Sequence, residues 1–150
     1  MHSETSMQDR QALAELAGKT MYERDAASQA LGMLLDEIRP GYARMRMRVR
    51  EDMLNGHGTC HGGYIFMLAD SAFAFACNSH NLNTVGAGCT IDYLAPGRAG
   101  DVLVAEAVEQ ALSGKTGVYD IAVSDQEGRR IALFRGKSHR IAGHVADPES

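Results

Sequence analysis

The chain has 150 residues, 45% of them apolar and 23% charged, with a net charge of −4. That is the size and mix of one soluble globular domain with a substantial core, and the acidic balance gives no electrostatic case for a nucleic-acid partner. No apolar run reaches the roughly 18 residues of a membrane span, the polar, acid-bearing N-terminus is unlike a secretory leader, and an odd count of three cysteines fits a reduced, cytoplasmic setting better than a disulfide framework.

Residues 1–8 are polar and read as frayed. Residues 9–31 set Leu13, Leu16, Met21 and Ala27 among charged residues, a helix-like mixture that Gly18 is expected to interrupt. Pro40-Gly41 marks a turn. Ala43, Met45, Met47 and Val49 then alternate with Arg44, Arg46, Arg48 and Arg50, a period of two that predicts a strand with one buried and one wet face. The arginine row is read as that wet face rather than as a polyanion site. Asn55-Gly56-His57-Gly58-Thr59 is a loop, and a helix is expected from about Gly62 to Asn78, apolar all round and therefore buried on most sides. Strands follow at 84–94, 102–112, 117–124 and 130–141, the last two joined by a turn at Asp125-Gln126-Glu127-Gly128. The order helix, strand, buried helix, run of strands predicts an α+β fold in which an antiparallel sheet wraps around one long central helix. The tail 144–150 reads as disordered.

Chemistry concentrates at Cys60-His61-Gly62-Gly63 and at Asp70, the single charge between Tyr64 and Cys77. A helix N-terminus offers free N–H groups and the positive end of the helix dipole, and Gly62 and Gly63 leave those donors open to close approach. Such a terminus can hold a phosphate or stabilise the oxyanion of acyl transfer, although two glycines also serve a tight loop-to-helix turn. A carboxylate inside an apolar helix either finds hydrogen-bond partners or is kept for chemistry. Eight positions separate Gly62 from Asp70, a rise of roughly 12 Å, whereas a base and an oxyanion donor must both lie about 3 Å from the reacting group. Two antiparallel copies of the helix can satisfy both, which predicts a homodimer with shared sites. Asn55 and His61 are candidates for orienting a carbonyl or a water. His57, Cys60 and His61 invite a metal reading, but the ligand set of a zinc site is incomplete, and neither Cys60 nor Cys77 sits in an evident electropositive niche for a nucleophile. Arg98, Arg135, Lys137, His139 and Arg140 are late basic residues; Arg135, Lys137 and His139 share a strand parity, and serve either a phosphate group or an ordinary solvated face.

The chain resembles the hotdog-fold acyl-CoA thioesterases of the phenylacetate-degradation type. The resemblance is carried by Met21-Tyr22-Glu23-Arg24-Asp25-Ala26 with Leu31-Gly32, by Met53-Leu54-Asn55-Gly56-His57, and by Cys60-His61-Gly62-Gly63 with Leu68-Ala69-Asp70. Further matches are Cys89-Thr90-Ile91-Asp92-Tyr93-Leu94 with Pro96-Gly97, Lys115-Thr116-Gly117-Val118-Tyr119-Asp120, and Ala132 through Arg140. It implies a hotdog domain over 21–143, with residues 1–20 an extension, mobile or helical. It implies hydrolysis of an aryl-acetyl-CoA, phenylacetyl-CoA or hydroxyphenylacetyl-CoA, with dimers pairing into a homotetramer. It also implies Asp70 as general base or nucleophile, the N–H of Gly62 or Gly63 on the thioester oxygen, and Asn55 and His61 lining the site. Arg98, Arg135 and Lys137 are the implied contacts to coenzyme A. No metal and no cofactor beyond the coenzyme A of the substrate is implied. The alternatives are a hotdog enoyl-CoA hydratase with His61 as base, or a non-catalytic acyl-CoA-binding module.

Overall fold

The computed structural model describes residues 3–148; the first two and last two residues of the expected extension and tail lie outside it. Helices α1 (Ser3–Arg24) and α2 (Ala26–Ala30) lead into the hairpin β1 (Leu34–Arg39) and β2 (Tyr42–Arg48). Helix α3 (Gly62–Asn78) follows, and then β3 (Leu82–Tyr93), β4 (Val102–Ser113), β5 (Thr116–Ser124) and β6 (Arg130–His144). The six strands form one antiparallel sheet in the order β1-β2-β4-β5-β6-β3, curled around α3. This is the expected α+β hotdog architecture. No helix among the described residues is long and apolar enough to cross a membrane.

The core lies between the inner sheet face and α3. Met45 and Met47 of β2, Leu103 and Ala105 of β4, Tyr119, Ile121 and Val123 of β5 and Phe134 of β6 close on Ile65, Leu68, Ala72, Phe73 and Ala76 of α3. Phe73 sits at its centre, its ring 5.7 Å from that of Tyr119 and 5.8 Å from that of Phe134. Gly136 is glycine because Phe73 occupies the place of its side chain: a Cβ there would lie 2.7 Å from the ring. With both neighbours aromatic and buried, the ring has nowhere to swing. Gly136→Ala is therefore expected to destabilise the fold by about 1–3 kcal/mol. Thermal or denaturant unfolding measures this, and an unchanged midpoint would mean that the core yields more easily than its packing suggests.

Three expectations change. Gly18 does not interrupt α1; it lets the helix lie against β1, where a Cβ would meet Ile38 and Leu35 at 3.1 Å. Residues 3–8, expected to fray, belong to the same helix. The tail is held at its start: Asn81 donates Nδ2 to the Ala146 carbonyl and accepts from the Ala146 N–H, both at 2.9 Å, and Ala146 is buried. Asn81 can do this because it sits at φ 65°, a left-handed conformation that asparagine tolerates. Strand β1 has no counterpart in the sequence reading, because a bulge between Leu35 and Glu37 breaks its alternation.

The arginine row on β2 does form the outer face. Arg44 pairs with Glu37 at 2.9 Å and Arg46 with Asp36 at 3.1 Å, both acids lying on β1, so this row is in part neutralised within the sheet.

Candidate active site

The loop before α3 is built around one side chain. Asn55 Oδ1 accepts from the N–H groups of His57 at 2.9 Å and Thr59 at 3.2 Å, folding residues 55–59 into a compact turn whose Gly58 sits at φ 77°. The base of the loop is pinned by Cys60 N–H to the Gly97 carbonyl and His61 N–H to the Met53 carbonyl, both at 2.8 Å. Asn55 thus shapes the loop with its oxygen, and among the described residues its amide nitrogen has no acceptor.

His61 is the N-cap of α3, and its Nδ1 accepts from the Gly63 N–H at 2.9 Å. The N–H groups of Tyr64 and Ile65 both reach the His61 carbonyl, at 3.0 and 3.5 Å. Of the first-turn donors, the Gly62 N–H is the one with no acceptor among the described residues. Beside it opens a cavity of about 360 Å³ lined by Cys60, Gly62, Ile65, Tyr93, Leu94, Ala95 and Pro96. Tyr93 was matched in sequence only as part of a motif, with no role. Its hydroxyl donates to the Gly62 carbonyl at 3.0 Å, and its ring fills the space where a Gly62 Cβ would lie, 3.1 Å from Cζ. No local signal marks it, since the contact joins the end of β3 to the start of α3, 31 residues apart.

Asp70 stands two turns further along α3, and here the expectation of burial fails. Gly63 and Asp70 are exposed, with Met67 and Ala74 half-buried on the same stripe of the helix, because the sheet covers only the opposite face. The Asp70 carboxylate has no hydrogen bond or ion pair among the described residues. Apolar bulk around its stem strips away enough water to raise its pKa above the ordinary carboxylate value, even though its tip meets solvent. A neighbouring chain of side-chain bonds, Asp25 to Ser28 to Ser71, ties α2 to α3 and borders this open face.

The remaining candidates separate. Arg135 makes a two-pronged pair with Asp120, at 2.7 and 2.8 Å, across the β5–β6 register. The pair engages Nε and one terminal nitrogen of the guanidinium expected to meet a phosphate. Lys137 and His139 do share its outward face, on the side of the sheet away from α3. Arg98 is exposed on the loop after β3, two residues beyond Pro96 in the wall of the Gly62 cavity, its backbone N–H bound to Asp101 at 2.8 Å. Burial pushes the Cys60 thiol up to about 11 and the Cys77 thiol up to about 12, so neither is a ready thiolate nucleophile. Among the described residues no cluster of three His, Cys, Asp or Glu side chains is placed to hold a metal, and His57, Cys60 and His61 do not converge.

A free helix-terminal N–H beside an apolar cavity and a carboxylate are the two groups that thioester hydrolysis needs, although roughly 12 Å of helix separates them within one chain. Comparison with known proteins agrees. Residues 57–132 match the thioesterase superfamily. The chain is 52% identical over 125 residues to the acyl-coenzyme A thioesterase PaaI of Escherichia coli, covering 83% of this chain and 89% of that protein. It is 32% identical over 128 residues to human acyl-coenzyme A thioesterase 13, covering 81% and 89%. Among solved structures, the E. coli PaaI protein from the phenylacetic acid degradation operon superposes with a TM-score of 0.88 at 49% identity, covering 89% of this chain and 97% of that one. A hypothetical thioesterase from Streptococcus pneumoniae with coenzyme A superposes at 0.77 with 26% identity, covering 83% and 98%. The chain belongs to the thioesterase superfamily, and within it to the hotdog-fold, PaaI-like acyl-CoA thioesterases.

Proposed function

We propose that this thioesterase hydrolyses aryl-acetyl-CoA esters, phenylacetyl-CoA or its ring-hydroxylated relatives, to the free acid and coenzyme A, at sites shared between two copies of the chain. The observation that carries the reading is the Gly62 N–H, unpaired beside an apolar, tyrosine-walled cavity. The cavity suits an aromatic acyl group, and its donor suits the oxygen of the thioester carbonyl. Within one chain Asp70 stands a helical rise of roughly 12 Å away, so the carboxylate that meets this carbonyl comes from a second copy.

The surface offers a way to assemble that copy. Strand β3 is a sheet edge of 12 residues whose free side is exposed, with Val85 and Tyr93 among the large apolar side chains open to solvent. An edge this long and apolar is a template for pairing. Pairing it antiparallel with itself sets the two α3 helices side by side in opposite directions and covers the open stripe of Met67, Asp70 and Ala74. Each Asp70 then faces the partner's α3 N-terminus.

The chemistry closes without a metal or redox cofactor. Water adds to the carbonyl carbon, Asp70 takes its proton, the Gly62 N–H holds the oxyanion, and as the carbon–sulfur bond breaks the proton held by Asp70 passes to the departing sulfur, releasing the thiol and the free acid. If Asp70 attacks directly, an aspartyl anhydride forms and the thiol leaves before water enters. Asn55, through its free amide nitrogen, orients the water or the carbonyl. Arg98 and Lys137 are the basic residues proposed to meet coenzyme A phosphates. A homotetramer of two such dimers in the cytoplasm completes the reading.

An acyl-CoA panel with detection of the released thiol tests the substrate class. Phenylacetyl-CoA and its hydroxylated analogues are expected to be cleaved at least tenfold faster, in kcat/KM, than short straight-chain acyl-CoAs, a difference of about 1.4 kcal/mol. A reversed preference would remove the aryl assignment. Release of no thiol from any thioester would return the hydratase and binding-module alternatives.

A further inference from the structure

The Gly62–Gly63 peptide unit is gripped at both ends. Its carbonyl accepts from Tyr93 Oη at 3.0 Å, and its N–H donates to His61 Nδ1 at 2.9 Å. These two bonds fix the orientation of that peptide plane; the plane before it, which carries the Gly62 N–H, is held on its carbonyl side by the Tyr64 and Ile65 N–H groups that reach the His61 carbonyl, so the two planes together set φ and ψ of Gly62 and the aim of its N–H. A glycine has the widest conformational freedom of any residue, so with the Tyr93 and His61 bonds removed Gly62 could rock about the helix bonds to the His61 carbonyl that remain and tilt its N–H off line.

We propose that Tyr93 and His61 act as a positioning pair, a clamp that holds the Gly62 N–H on the line where the thioester oxygen arrives. The inference rests on the reading of the Gly62 N–H as the donor to the substrate carbonyl. Both act on the substrate carbonyl through the Gly62 N–H, and Tyr93 in addition walls the cavity. The clamp also assigns the imidazole a form: Nδ1 must carry the lone pair, so the ring is neutral with its proton on Nε2. A fixed donor serves catalysis because it needs no reorganisation as charge builds on the oxygen.

The test uses the full chain with Asp70→Asn, which binds the thioester without turning it over, and reads the carbonyl stretch of a carbon-13-labelled phenylacetyl-CoA by vibrational difference spectroscopy. In Asp70→Asn alone the bound carbonyl band is expected below that of free thioester. Adding Tyr93→Phe should return the band part of the way to the free value and broaden it. His61→Ala should do the same, while His61→Asn, which keeps an acceptor for the Gly63 N–H, should leave the band in place. In the chain with Asp70 intact, Tyr93→Phe should lower kcat about tenfold, the loss of roughly one hydrogen bond's worth of transition-state stabilisation, with KM unchanged. Tyr93 is 50% exposed, so the phenylalanine variant should fold as the parent does. A band that stays put in both Tyr93→Phe and His61→Ala would overturn the clamp and leave the Gly62 reading standing. A band in Asp70→Asn that matches free thioester would overturn the Gly62 reading, and the clamp with it.

Discussion

Asp70→Asn should lower turnover by about two to four orders of magnitude, the range of a lost general base, while coenzyme A affinity changes little. Among the described residues no arginine, lysine or hydrogen-bond donor reaches the Asp70 carboxylate, so no structural bond is lost when its charge is removed. Its pKa is raised by desolvation, which means that the folded chain disfavours the ionised form. The sign follows from linkage: a carboxylate whose folded pKa lies above its unfolded value costs stability once both forms are ionised, and costs nothing at a pH below the unfolded value. Asp70→Asn should therefore melt at the same temperature as the parent or slightly higher near neutral pH, which separates lost chemistry from lost fold. The same shift makes Asp70 a better base, and turnover should fall as pH drops through a value above the ordinary carboxylate range. Steady-state kinetics beside a thermal melt checks both halves. Near-parental turnover in a well-folded Asp70→Asn would remove Asp70 from the chemistry. Single turnover in oxygen-18 water, with hydroxylamine as a trap for an aspartyl anhydride, then distinguishes base from nucleophile.

What could be read from the sequence divides by whether the cause is local. Helix α3 was legible to its end residues, because two glycines open it and an apolar run interrupted only at Asp70-Ser71 sustains it. Strand β2 was legible because its alternation is strict, and the β5–β6 turn because Asp125 accepts from the N–H groups of Glu127 and Arg129 while Gly128 takes φ 81°. What escaped depends on distant partners. Gly18 reads as a helix breaker until Ile38 and Leu35 are seen to press on it. Arg135 reads as a free cation until the β5–β6 register brings Asp120 opposite. Asp70 reads as buried because an apolar helix does not announce which face its own sheet leaves bare. His61 was suspected for its chemistry, yet its structural part is to cap α3, a place more often taken by serine, threonine, aspartate or asparagine. In that role it decides which of the two glycines keeps a free N–H, a choice that sequence left open.

That choice sets the second large effect. Gly62→Pro should cost about a hundred- to a thousandfold in kcat, the usual loss when one oxyanion donor is deleted. Gly62 is the first residue of α3, where proline removes an N–H that the helix does not use and brings a φ that suits it. The new ring must displace Tyr93, whose Cζ lies 3.1 Å from where a Cβ begins. Gly62→Ala is the companion variant, since it imposes much of that displacement while keeping the N–H; a loss of no more than about tenfold in alanine, as expected for a displaced Tyr93, against a hundredfold or more in proline isolates the donor. The pair of catalytic deletions then tests whether the two groups act across the dimer. Chains with Asp70→Ala and chains with Gly62→Pro should each be inactive alone. Mixed and allowed to exchange, they form some dimers in which one site combines an intact Gly62 with the partner's intact Asp70, while the other site lacks both. Statistical mixing of equal amounts makes half of the dimers mixed, each with one working site, so activity should return to about a quarter of the parental level. A helix that served both roles from one chain would give no recovery, because every chain in the mixture lacks one of the two groups. The rise of roughly 12 Å between them argues for recovery, and tagged purification of the mixed dimer makes either result decisive.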